Sequence, residues 1–560
     1  MKIIFLIKKM FKKCYISYPP PPRILIAVLF LGSFLIRFVN GDFEKIILFY
    51  PDELRYYQIA ENMARGNFLI INNEAVSYQK ILYSLFLTPI FWIENLAIRA
   101  HLFSALNAFF VSSIIFPVYL IGKLLLKKYI YILCFLSLLL SDLVYSITFM
   151  SEVLFLPLGA WGVYIALKMI VENRKNIWLS IFFGFLIYIL YWCKEIGVVF
   201  LLSFFAYLFF ASVFKLEINL KAQIQNAIVA AFAFFAVFMF LKLTLFYGMP
   251  NSYAAQTGFS VFKEDGRLPF LFYGFGYYLM HVIMAGLFFL FAVPMLYFKN
   301  LNLNAKRLYL FIILIILLSA AVVAFTITVR EDFAQVFPRA HLRYLVYIWA
   351  PMLAIFLSML EENNFPKIVL KQKILLFFFA VFLTVFYIGA NHVGDHTMLA
   401  FLRNAEKLWR FKILLLIALL VFYFYPKRRY FCIAFLIVFS IVQFFNSRHS
   451  IRIFKPFYQI SAEEKVQIQK MRDFIKNNPN KNFLVADQIG IKSQRAADTF
   501  LNEANVKTVY FDSFKNNADA FENIDYFIFN AENNFNFNFN KTIPKENLQG
   551  VLWKVLENPR

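Results

Sequence analysis

A chain of 560 residues that is 61% hydrophobic and only 16% charged is not an ordinary soluble enzyme, in which about a quarter of residues carry charge. The net charge of +23 lies largely in Lys/Arg clusters beside apolar runs, which argues against a nucleic-acid partner and for helix ends at an anionic membrane surface. Apolar runs of about 20 residues predict spanning helices, and they are too long and continuous for barrel strands. The fold class expected is an all-α polytopic membrane protein with a small C-terminal α/β domain.

The chain opens with a basic segment, residues 1–22, carrying Lys8, Lys9, Lys12 and Lys13. No small-residue cleavage site follows the apolar run Arg23–Val39, so an uncleaved first helix is expected. Basic clusters mark the cytoplasmic ends: Lys123/Lys127/Lys128, Arg174/Lys175, Lys215/Lys221, Lys306/Arg307, Lys367/Lys371/Lys373 and Lys427/Arg428/Arg429. They divide residues 23–446 into about thirteen spans, at 23–39, 98–122, 129–148, 152–171, 177–193, 196–214, 225–247, 270–298, 309–329, 343–361, 373–390, 411–425 and 430–446. The N-terminus is then cytoplasmic and residues 447–560 extracytoplasmic, in a cell inner (cytoplasmic) membrane.

A large outer loop at 40–97 contains Tyr50-Pro51-Asp52-Glu53-Leu54-Arg55-Tyr56-Tyr57. Pro51 suits a helix first turn, Gly66 ends it, and Tyr56, Ala60 and Met63 share a face with Asp52. The acidic pair either complements the helix dipole or forms a dipole-stabilised carboxylate site at the lipid boundary. Ile81–Ile93 is apolar but short, and is read as an interfacial or re-entrant helix. Lys80 opens it, either as a snorkelling anchor or as a phosphate ligand.

Further outward connections hold Ser151-Glu152, read as a cap or a functional carboxylate, and Lys194-Glu195, read as a local ion pair in preference to a site role. Arg339 and Arg343, within Phe337-Pro338-Arg339-Ala340-His341-Leu342-Arg343-Tyr344, fall on one helical face if the tenth helix starts early. Outward arginines run against the positive-inside bias. They bind an anion bidentately or anchor to lipid headgroups. Arg267, in Gly266-Arg267-Leu268-Pro269, is a weaker candidate of the same kind.

The tail predicts a helix at Ala462–Lys476, a strand at Phe483–Ala486, a helix near Ser493–Ala504, and strands at Val506–Phe511 and Asp525–Phe529, forming a parallel α/β layer. No Gly-x-Gly-x-x-Gly accompanies these strands, so no nucleotide site is expected there. The four cysteines, Cys14, Cys134, Cys193 and Cys432, show neither a disulfide framework nor zinc spacing. The six histidines show no metal-ligand spacing, and the metal is left open.

The acidic pair in the first outer loop, the basic surface segment, Arg99 at the start of the second span, the outward Glu152, and Arg339-x-x-x-Arg343-Tyr344 follow one another in that order. This combination resembles the GT-C superfamily of integral-membrane glycosyltransferases, in its protein O-mannosyltransferase and aminoarabinose transferase branch, over residues 23–450. The resemblance implies transfer of a sugar from a polyprenyl-phosphate-linked donor to a hydroxyl on a glycan, lipid or protein acceptor, on the extracytoplasmic face. It implies catalytic roles for Asp52, Glu53 and Glu152, and donor-phosphate roles for Lys80, Arg267, Arg339, Arg343 and Tyr344. No certain cofactor is implied, with room left for a divalent cation. The family's surface segment often reads Lys or His followed by Pro-Pro-Leu; here Ile81-Leu82-Tyr83 follows Lys80. The rival expectation is a lipid-linked-sugar flippase or secondary transporter.

Overall fold

The structure is a computed structural model, and it describes residues 22–41, 51–68, 70–71, 74–75, 80–141, 143–247, 267–285, 287–328, 339–340, 342–362, 393–394, parts of 432–452, 462–487, 506–510, 525–530 and 553–557. Among them, seven helices are long and apolar enough to cross a membrane: Arg23–Gly41, Ala97–Leu125, Glu152–Glu172, Glu195–Val213, Leu220–Leu243, Leu303–Thr326 and Leu345–Glu362. The chain is a multi-pass membrane protein. The expected spans at 373–390 and 411–425 lie outside the described residues, and 430–446 is helical where it is described.

In chain order the helices are α1 (Pro22–Gly41), α2 (Pro51–Ala64), α3 (Leu82–Leu87), α4 (Leu96–Ser112), α5 (Ile115–Leu125), α6 (Ile130–Leu140), α7 (Glu152–Glu172), α8 (Ile177–Cys193), α9 (Val199–Val213), α10 (Leu220–Leu243), α11 (Arg267–Ala285), α12 (Leu287–Leu296), α13 (Leu303–Thr328), α14 (Trp349–Glu362) and α15 (Ala462–Asn477). Ile24, Val28, Leu31, Leu35 and Val39 lie exposed at helical spacing along α1. Ile228, Phe232, Phe235, Met239 and Leu243 repeat that stripe on α10. Continuous apolar stripes of this length are lipid-facing surface.

The span expected at 129–148 is not one helix. α6 ends at Leu140, a 3-10 turn follows at Leu143–Ser146, and residues 148–150 run without regular structure. The buried Arg37 of α1 sits at that break, donating from Nη2 to the carbonyls of Leu138 and Ser141, each at 2.8 Å. A guanidinium at a helix C-terminus satisfies carbonyls that no longer have an intrahelical partner and complements the dipole. The break leaves backbone groups of 148–149 to bond elsewhere, and the candidate site uses them.

At the opposite end of the bundle, Glu361 of α14 accepts the backbone N–H groups of Lys127, Lys128 and Tyr129 at 2.7, 2.5 and 2.6 Å. Its carboxylate caps the start of α6. Arg307 of α13 is buried at this end as well, donating to the carbonyls of Leu216 and Glu217. The basic connections at Lys127/Lys128 and Lys215 therefore cluster on the side away from the outer-loop acids. α8 and α10 pack closely because Gly184 has no side chain; a Cβ there would lie 2.1 Å from the Ala230 carbonyl oxygen.

After the short strands β1 (Ile70–Ile71), β2 (Glu74–Ala75), β3 (Arg339–Ala340) and β4 (Val393–Gly394), the tail strands β5 (Phe483–Asp487), β6 (Val506–Tyr510), β7 (Tyr526–Asn530) and β8 (Trp553–Glu557) form one sheet in the order β6-β5-β7-β8. β5 pairs parallel with β6 and β7, starting from Phe483↔Val506 and Phe483↔Tyr526. β8 was not expected from the sequence and adds antiparallel to β7. Phe474 of α15 meets the rings of Phe483 and Tyr526 edge-on, with centroids 5.8 and 5.4 Å away. The helix expected near 493–504 lies outside the described residues.

Candidate active site

The site is built on α2, which begins at Pro51 and is closed by Gly66 in the left-handed region, φ +84°. Only glycine adopts that backbone without steric cost, so the expected terminator is in place. Tyr56, Ala60 and Met63 are buried, and so is every other residue of α2 between Tyr56 and Met63. Ile81–Ile93 is likewise non-spanning, folded as α3 followed by a 3-10 turn at Thr88–Trp92. Ser84 donates to the Tyr56 carbonyl at 2.9 Å, and Arg99 ties the end of the segment by donating to the Ile93 carbonyl. Tyr57 meets the ring of Phe91 edge-on at 4.6 Å.

Glu53 is buried, and its Oε1 accepts the Phe149 N–H at 2.8 Å. That donor exists because α6 stopped early. One turn along α2, Tyr56 donates to Ser151 Oγ at 2.8 Å. Ser151 lies 3.5 Å from Glu152 Oε2 and makes no side-chain cap to α7, so the capping reading of this residue does not hold. The Lys194-Glu195 pair is also not local. Lys194 Nζ lies 2.6 Å from Glu152 Oε1, with side chains 9% and 2% exposed, while Glu195 reaches Lys80 at 3.5 Å. Lys194 takes up extended backbone at the end of α8, and the following 3-10 turn at Glu195–Val198 separates the two side chains.

Two further residues enter that sequence reasoning missed. Tyr83 of α3 is completely buried and donates to Asn107 Oδ1 at 2.8 Å. Asn107, inside α4, passes the chain on by donating to the Thr148 carbonyl at 2.8 Å. Burial raises the Tyr83 hydroxyl well above its ordinary value near 10; the Asn107 hydrogen bond opposes that, and the negative charges of Glu53 and Glu152 add to it. Tyr83 is thus a neutral donor close to both acids. Lone polar residues inside apolar runs, Asn107 here and Arg37 in α1, are the signals that could have flagged them.

The late basic residues do not share one helical face. Arg339 lies in β3 (Arg339–Ala340), paired parallel with β4 (Val393–Gly394), and Arg343 and Tyr344 lie in the 3-10 segment Leu342–Ile348. The pairing of Arg339 and Ala340 with Val393 and Gly394 holds that stretch extended, and α14 begins only at Trp349. Arg267, half-buried, opens α11, and α11 packs against both β3 and the 3-10 segment. The 3-10 segment in turn packs on α7: Tyr347 meets Phe155, one turn beyond Glu152, edge-on at 5.6 Å. The side chains of Asp52, Arg339, Arg343 and Tyr344 lie outside the described residues.

Among the described residues no three His, Cys, Asp or Glu side chains gather as a metal-binding set. Glu152 is held by Lys194 and Glu53 by a backbone N–H, each through Oε1.

No family model and no curated protein matches the chain. Solved structures similar to it include ArnT from Cupriavidus metallidurans bound to undecaprenyl phosphate, at 12% identity over 95% of this chain and 97% of that one, TM-score 0.49. Another is the oligosaccharyltransferase AglB from Archaeoglobus fulgidus in complex with an inhibitory peptide and a dolichol-phosphate, at 12% identity over 90% of this chain and 69% of that one, TM-score 0.47. Both are GT-C glycosyltransferases, the superfamily that the sequence resembles. At TM-scores below 0.5 the functional reading rests on the residues and their geometry.

Proposed function

We propose that this protein transfers a sugar from a polyprenyl-phosphate-linked donor to a hydroxyl acceptor on the extracytoplasmic face. The observation that carries the reading is the meeting of buried acids with cations at one end of the bundle. Glu53 and Glu152 lie there with Tyr83 between their fields, Lys80 beside them, and the Arg343-bearing 3-10 segment packed on the same helix as Glu152. An acid for the acceptor hydroxyl and cations for a leaving phosphate are the two parts such a transfer needs.

In this reading Asp52 takes the proton of the acceptor hydroxyl as the acceptor's oxygen bonds to the anomeric carbon. The bond from that carbon to the phosphate oxygen breaks, and the electron pair stays on the phosphate. Glu53 fixes α2 against Phe149, and Glu152, neutralised by Lys194, orients sugar or acceptor hydroxyls. Lys80, Arg267, Arg339, Arg343 and Tyr344 take the charge that develops on the lipid phosphate. The polyprenyl tail stays in the bilayer, and the basic connections at the other end face the cytoplasm. Residues 447–560 form an extracytoplasmic α/β unit in this arrangement.

The test is transfer from a panel of radiolabelled polyprenyl-phosphate sugars by purified protein, wild type beside Asp52→Asn. Transfer that Asp52→Asn loses while keeping its fold supports the reading. Absence of both transfer and donor hydrolysis with folded wild-type protein overturns it, and solute movement in sealed vesicles would then favour a transporter.

A further inference from the structure

The dipeptide Lys194-Glu195 holds two ion pairs of opposite character. Lys194–Glu152 is short and buried, whereas Lys80–Glu195 is longer, 3.5 Å, and its side chains are 21% and 29% exposed. A buried pair cannot exchange partners without stranding a charge, so Lys194 and Glu152 stay together. A partly exposed pair is weak and exchangeable. Glu195 therefore occupies the one described lysine that the transfer reading assigns to the lipid phosphate.

The chemistry of that phosphate changes during turnover. The donor is a phosphodiester with one negative charge. When the anomeric carbon–oxygen bond breaks and the electron pair remains on the bridging oxygen, the product is a phosphomonoester. Its second ionisation falls near pH of about 6, so most of it carries two charges at neutral pH. Product must then leave Lys80 before the next donor binds.

We propose that Glu195 is a specificity-determining residue that discriminates the charge on the polyprenyl phosphate. Resting on the transfer reading above, it competes for Lys80 and repels the dianionic product more than the monoanionic donor, which hastens product departure. Glu195 is not a catalytic residue in this scheme; it acts through Lys80.

The experiment measures binding of a polyprenyl monophosphate and of the methyl phosphodiester of the same polyprenol to purified full-length protein in detergent. Wild type, Glu195→Gln and Glu195→Asp are compared. Glu195→Gln is expected to tighten monoester binding about three- to fivefold, the scale of a partly exposed ion pair, with a smaller gain for the diester. Product inhibition of transfer should strengthen by the same factor. Glu195→Asp, which keeps the charge, should restore wild-type discrimination. Equal tightening of both lipids, or no change in their ratio, overturns the role of Glu195 while leaving the transfer reading in place. Failure of wild type to bind either lipid overturns both.

Discussion

Lys194 Nζ lies 2.6 Å from Glu152 Oε1, joining the end of α8 to the start of α7 with both side chains buried. Removing one partner of such a pair strands the other charge, which costs about 3–5 kcal/mol. Lys194→Ala is therefore expected to lower the melting temperature sharply in detergent. Glu152→Gln combined with Lys194→Met should recover most of that loss, because no charge is left unpaired, yet show no transfer. A double variant as unstable as Lys194→Ala would show that packing at this point, rather than charge pairing, dominates.

Arg37→Met tests the break after α6. The substitution keeps the bulk of the side chain and removes the donors to Leu138 and Ser141, leaving two buried carbonyls unsatisfied at about 1–3 kcal/mol each. The expected outcome is a loss of stability and faster proteolysis within 141–150. Since Phe149 presents its N–H to Glu53 from that stretch, activity should fall further than stability alone explains. Unchanged cleavage within 141–150 would refute the link.

How much of this was legible in the sequence depended on whether a signal was local. The α2 boundaries could be read because Pro51 and Gly66 act on their own backbone, and Ile81–Ile93 could be read because length alone denies it a span. The break at Ser141 was read through, since two polar residues barely dent the hydropathy of a 20-residue window. The pairing of Lys194 with Glu152 was not legible at all: adjacency favours Glu195, and only the turn of backbone at Lys194 sends the two side chains to different partners. Arg339 and Arg343 obeyed a helical spacing that strand pairing with Val393–Gly394 overrode. β8 was missed because Val555-Leu556 breaks the apolar–polar alternation of Trp553–Glu557.

Tyr83→Phe separates the hydroxyl from the ring. It removes one hydrogen bond and leaves Asn107 Oδ1 short of a donor, at about 1–2 kcal/mol. The pH dependence has a definite sign. Burial holds the folded-state hydroxyl protonated above its ordinary range, so Tyr83 adds no pH dependence to stability below about pH 10, where both states bind the proton. Above that, the unfolded chain ionises and the folded one does not, so stability falls by up to about 1.4 kcal/mol per pH unit. The difference between wild type and Tyr83→Phe in unfolding should therefore narrow as pH rises past about 10. A pH-independent difference would place the hydroxyl in a solvated setting.

Gly184→Ala tests the contact between α8 and α10. The added methyl would lie 2.1 Å from the Ala230 carbonyl oxygen, and backbone cannot yield as a flexible side chain can. A cost of about 1–3 kcal/mol is expected, read as a lower melting temperature. A neutral result would mean the two helices separate freely at this point.

Asp52 and Glu53 are adjacent in sequence, and the proposed mechanism gives them different work. Glu53 accepts the Phe149 N–H through Oε1, a role that a glutamine carbonyl oxygen reproduces. Glu53→Gln is therefore expected to fold normally and to lose transfer by no more than about tenfold, the remaining charge effect on Tyr83 and its surroundings. Glu53→Ala leaves a buried N–H without its acceptor and should lose about 1–3 kcal/mol of stability together with activity. Asp52→Asn, by contrast, removes the proposed base and should cost transfer on the order of a hundredfold or more with the melting temperature unchanged. The comparison is made on one preparation of each variant, with transfer and melting measured side by side. If Glu53→Gln lost as much transfer as Asp52→Asn while melting normally, the base would have to be reassigned from Asp52 to its neighbour.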